Sequence, residues 1–134
     1  MSERFKEIYK LHIMLKSADI QHDFCEYGEY DPEKTYPVIE AQIFYPSKED
    51  WYIVDLEKAR EGCCSVIEGY GSMGHEKDLL EIMGLVDPEK DKDRDCYMVT
   101  VLGGLTAEEV FDRIQKADEI RKLNFKHFAK NEEV

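Results

Sequence analysis

The sequence predicts an α+β fold: a mainly antiparallel sheet of about four to five strands with three helices, one N-terminal, one short and central, one long and C-terminal. Three observations predict it. Apolar residues recur at helical spacing near the N-terminus and again after Thr106. Strand-like runs cluster between Ala41 and Glu68. Glycine or proline punctuates the junctions. With 134 residues, 43% of them hydrophobic, the chain has the size of one domain spanning 1–134, large enough to bury a core without staples.

The elements follow in order. Ser2 is an N-cap, and Phe5, Ile8, Leu11, His12 and Leu15 repeat at helical spacing until Ser17-Ala18-Asp19 ends the first helix. A short strand is expected around His22–Tyr27, then a loop from Gly28 to Thr35 carrying Asp31 and Pro32. Ala41–Tyr45 and Tyr52–Leu56 read as a hairpin, and Cys64–Glu68 as a third sheet run. His75 to Met83 predicts the short helix, with Gly84 in its left-handed C′ position and Leu85 packing back on the last turn. Asp87 to Asp95 predicts a charged, solvated loop. Tyr97 to Leu102 predicts the last strand, broken by Gly103-Gly104. Thr106 and Glu109 then form a capping box, with Leu105 and Val110 as its staple. Val110, Ile114, Ala117 and Ile120 carry the apolar stripe of the final helix, prolonged by Leu123 and Phe128.

Charge and composition narrow the function classes. The net charge of −12 opposes contact with nucleic acid or an anionic membrane, and no recognition-helix motif appears. No apolar run approaches the roughly 20 residues of a bilayer crossing. The charged start Met1–Glu7 lacks the apolar stretch of a signal peptide. A cytoplasmic protein is expected. Cys25, Cys63, Cys64 and Cys96 include a vicinal pair, a poor disulfide framework, so free thiols are expected.

Gly69-x-Gly71-x-x-Gly74 satisfies the dinucleotide-binding pattern and sits between a predicted strand and a predicted helix. Gly69, Tyr70, Gly71, Ser72 and Gly74 are therefore the candidate ligand-binding residues. Against a nucleotide, Glu76 and Asp78 place acid in the first turn, where a phosphate would sit. His75 and Glu76 are the candidate catalytic pair, because acid–base chemistry wants a group titrating near neutrality. No nucleophile, base and orienter set accompanies them. His22-x-x-Cys25 has a ligand-like spacing, but no C-x-x-C pair supports a metal site. Asp91-x-Asp93-x-Asp95 lacks the turn glycine and the closing Glu of a calcium loop. No metal and no cofactor are expected.

Two surfaces point to partners. Tyr45, Trp51 and Tyr52 belong to an aromatic-rich segment suited to an interface. Arg113, Lys116, Arg121, Lys122, Lys126 and Lys130 make the last helix locally basic, by default a solvated face and otherwise a seat for an acidic partner.

Two stretches carry a resemblance. Ser65-Val66-Ile67 through Gly71-Ser72-Met73-Gly74-His75-Glu76 and on to Leu85, followed by Gly104–Ile114, resembles small proteins of phages and prophages of Gram-positive, Firmicutes-type bacteria. That resemblance spans residues 65–114 in the main. It implies a genetic setting, and no activity or catalytic residue to carry over. The expectation is a non-enzymatic binding protein that modulates a host process or host defence by engaging a host protein or a small ligand. The alternatives are a small enzyme or nucleotide-binding protein using Gly69–Glu76, and a self-associating assembly component forming a homo-oligomer.

Overall fold

A computed structural model describes residues 6–28, 38–53, 62–69, 79–87, 89–91, 96–97 and 101–132. The elements are α1 (Lys6–Ser17), β1 (Asp23–Gly28), β2 (Val38–Tyr45), α2 (Lys48–Ile53), β3 (Cys64–Gly69), β4 (Leu80–Met83), β5 (Cys96–Tyr97), β6 (Val101–Leu105) and α3 (Ala107–Glu132). The strands form one sheet in the order β1-β2-β3-β4-β6-β5, and every neighbouring pair is antiparallel. The α+β class is what the chain forms; among the described residues there are three helices, and the two-residue edge β5 brings the sheet to six strands.

One row of side chains runs straight across the sheet. Phe24, Ile43, Val66, Ile82 and Leu102 are successive register partners on five strands. All of them join the core cluster or pack against it. Alternation puts Ala41, Ile43 and Tyr45 on the same face of β2, with Cys64 and Val66 on β3. Ile8, Leu11 and Leu15 of α1 and Ala107, Val110 and Ile114 of α3 cover that face. Burying side chains of this size contributes about 1.5–3 kcal/mol each.

The helix ends explain where the helices stop. At the end of α1, Ile20 N–H donates to Leu15 O at 3.0 Å and Asp19 N–H to Lys16 O at 3.2 Å, while Asp19 takes φ 58°. This is a Schellman closure, in which Leu15 and Ile20, both buried, supply the accompanying apolar contact. At the start of α3, Glu109 N–H donates to Thr106 Oγ1 at 3.3 Å, as the capping box requires. A second cap arrives from α1: Glu7 Oε2 accepts the Ala107 N–H at 2.7 Å, and Lys10 pairs with Glu108 alongside.

Four expectations are corrected. The second arm of the hairpin, Tyr52–Leu56, does not pair with β2: Tyr52 and Ile53 belong to α2, and the rest lies outside the described residues. Ser47 caps that helix, accepting the Asp50 N–H at 3.1 Å and donating to Asp50 Oδ2 at 2.6 Å. The short helix expected over His75–Met83 is a strand where it is described, because Leu80 and Ile82 are buried while Glu81 and Met83 face the other way. Residues 75–78 lie outside the described residues, and among the described residues the short helix between the two long ones is α2. Gly103-Gly104 lies inside β6: between Leu80↔Leu105 and Ile82↔Leu102 the β6 side carries one extra residue, and Gly104 absorbs it at φ 76°. Ile120 and Leu123 leave the buried stripe of α3 and are 59% and 66% exposed, because the buried face passes through Asp118 instead.

Candidate functional site

The largest change from expectation lies after β4. Gly84 and Leu85 both take positive φ, 93° and 59°, which turns the chain sharply toward α3. Asp87 Oδ1 then accepts the amides of Glu89 and Lys90 at 3.0 and 3.2 Å, and Asp91 Oδ2 accepts the Asp87 amide at 2.8 Å. The carboxylate of Asp91, expected in a solvated loop, is enclosed, with the residue only 2% exposed. Arg113 of α3 holds it bidentately at 2.7 and 2.8 Å and donates a further bond to Leu85 O at 2.8 Å. Proximity to Asp91 raises the Arg113 pKa, so the guanidinium stays charged. One arginine thus fastens the whole turn to the helix.

Between the fastened turn and α3 runs a groove of about 900 Å³. Its apolar lining is Leu85, Val86, Ala117 and Ile120, and Lys90 and Arg121 stand on its two walls. Volumes of this order are those of ligand-binding clefts. The acids along it are already engaged: Asp112 pairs with Lys116 at 3.1 Å, Glu109 contacts Thr106 Oγ1, and Asp87 holds backbone amides. Among the described residues, no carboxylate pairs with Lys90 or Arg121.

Arg121 is set by its neighbours. Its guanidinium lies 5.6 Å from the centroid of the Tyr45 ring, and Nη2 donates toward Cys63 Sγ at 3.8 Å. Tyr45 is fully buried, and its hydroxyl donates to Asp118 Oδ1 at 2.9 Å, while Lys122 pairs with Asp118 at 2.9 Å. Burial and the hydrogen bond to Asp118 push the Tyr45 phenol pKa well above its usual value. Cys64, next to Cys63, is likewise pushed up by burial. Cys25, Cys63 and Cys64 are unbridged.

A second polar cluster joins α1 to β1. His22 Nδ1–H donates to Ile20 O at 2.8 Å, so His22 Nε2 accepts from His12 Nδ1–H at 2.8 Å. The His12 ring also stacks on Phe24 at 4.5 Å. Burial, then the neighbouring His22 and Lys16, lower the His12 pKa. Tyr9 packs against Phe24 from the other side and donates to Glu26 at 2.8 Å; burial and that bond push its pKa up to about 12. Among the described residues, no three His, Cys, Asp or Glu side chains gather as metal ligands.

The candidates named from the sequence fall in different places. Tyr45, expected to meet a partner, is a core residue: its ring is enclosed by the sheet and α3, and only its hydroxyl finds polar company. Trp51 is half-buried on α2, and the Tyr52 side chain lies outside the described residues. Gly69 ends β3 beside the buried Glu68, whose Oε2 accepts the Ile8 amide at 3.5 Å. Tyr70, Gly71, Ser72, Gly74, His75 and Glu76 lie outside the described residues. Of the basic residues of the last helix, Arg113, Lys116 and Arg121 line one groove. The groove itself was missed, because spacing put Ile120 on the buried stripe and only the structure shows it exposed.

Comparison of the chain with protein-family models, with curated proteins and with solved structures finds no match. No described helix is long and apolar enough to cross a membrane.

Proposed function

We propose that this is a non-enzymatic binding protein whose binding surface is the groove along α3. One observation carries the reading: Ile120 stays open to solvent beside two cations that have no carboxylate partner among the described residues. Arg113 and Asp91 make one wall rigid, which lowers the entropy cost of receiving an occupant. Nothing in the groove resembles a nucleophile with its base, which favours binding over catalysis.

From the resemblance read in residues 65–114 we propose a setting in the cytoplasm of a Gram-positive host, where the occupant is a host protein or a small ligand. The net charge of −12 argues against nucleic acid as that occupant. Two measurements test the reading with the full chain and its Ile120→Asp variant, a surface substitution that the fold tolerates. One is capture from host lysate; the other is thermal shift across a panel of metabolites. Binding by the wild type that Ile120→Asp abolishes supports the groove. Binding that Ile120→Asp leaves intact, or no binding in either measurement, overturns it.

A further inference from the structure

From the geometry we infer that the groove is a site for a small apolar carboxylate, its carboxylate seated on Arg121 and its hydrocarbon body laid over Leu85, Val86, Ala117 and Ile120. The inference rests on the groove reading above and adds the chemistry of the occupant.

Three features lead to it. First, the charges of the groove are unequally engaged. Asp87, Asp112 and Glu109 all have intramolecular partners, and so do Arg113 and Lys116. Among the described residues neither Lys90 nor Arg121 pairs with a carboxylate, and Arg121, the one set in place, meets the Tyr45 ring and hydroxyl and the Cys63 thiol. A guanidinium so placed keeps its planar fork for an incoming carboxylate, which it can hold by two parallel bonds. Second, Tyr45 and Cys63 orient that fork before anything binds, and Tyr45 is itself held through Asp118. Third, Leu85, Val86, Ala117 and Ile120 give the groove an aliphatic stretch beside Arg121, which rewards a hydrocarbon body.

Charge decides between a small anion and an acidic macromolecule. A chain of net charge −12 repels a large acidic partner over distances set by the Debye length, whereas a monoanion meets that field with a single charge. A phosphate group is less well served, because the first amide of α3 is already taken by Glu7.

The test uses the isotopically labelled full chain titrated with sodium octanoate, with octanol and with octylamine, followed by backbone amide shifts. The expected result is movement of the amides of Leu85–Val86 and Ala117–Asn124, with octanoate bound at least about fivefold more tightly than octanol, and octylamine weakest. Arg121→Gln removes the preference for the acid, and Lys16→Gln, an equal charge change on the exposed end of α1 outside the groove, leaves the preference in place. Equal binding of acid and alcohol, or a preference that survives Arg121→Gln, overturns the carboxylate seat while the groove stands. If no probe moves these amides, the ligand class is wrong, and the Ile120→Asp capture experiment judges the groove independently.

Discussion

Arg113 and Arg121 lie about two turns apart on the same helix and line the same groove, yet their partners differ. Arg113 is pressed against a buried carboxylate and a backbone carbonyl, all three donor contacts lying between 2.7 and 2.8 Å. Arg121 rests on a tyrosine ring at the rim of a groove and pairs with no carboxylate among the described residues. The residue type is the same; the partner separates a cation that holds the fold from one that is open to a ligand.

Substitutions break the comparison in order of size. Arg113→Ala leaves Asp91 buried without its counter-charge and releases the turn at Leu85, a loss of about 3–5 kcal/mol in urea denaturation. Replacing both partners, Asp91→Asn with Arg113→Leu, costs less than Arg113→Ala alone, because no charge is then stranded. Tyr45→Phe keeps the ring beneath Arg121 and deletes only the hydroxyl that Asp118 accepts, lowering stability by about 1–2 kcal/mol. Arg121→Gln is expected to stay within about 0.5 kcal/mol of wild type in the same measurement. A large loss there would erase the distinction between the two arginines.

Acidity sharpens the contrast from a third place. Neither arginine changes charge between pH 7.5 and 5.5, whereas His12 carries a pH response into that window. The His12 pKa is lower in the fold than its ordinary 6.5, so the unfolded chain takes the proton first. The stability it contributes is complete above about pH 6.5 and is lost as pH falls toward the folded value. Thermal midpoints measured across this window should fall with pH, and His12→Gln should flatten the curve.

What was legible in the sequence follows from how local each signal is. Both long helices were readable because their caps and stripes lie within a few residues, as Thr106 with Glu109 shows. β3 was readable because its neighbours are short-range breakers. The strand at Leu80–Met83 was missed: Leu79, Leu80, Ile82 and Met83 suit a helix face as well as a strand, and only pairing with Val66 and Leu102 decides. α2 was missed although its sign was present, in Ser47 three residues before Asp50. Asp91 was unreadable because its partner, Arg113, belongs to another element, and sequence spacing holds no trace of that contact. The groove depends on the same long-range contact and was hidden with it.

The bond from Glu7 to the first amide of α3 joins residues 100 positions apart in the chain. On the ribosome this separation becomes a waiting time. At about 5–20 residues per second, α1 is made roughly 5 to 20 seconds before the helix that covers it. During that interval Ile8, Leu11 and Leu15 face the sheet strands without Val110 and Ile114 beside them. The final helix therefore completes both the core and the groove, so no chain that stops short of it carries the proposed binding surface.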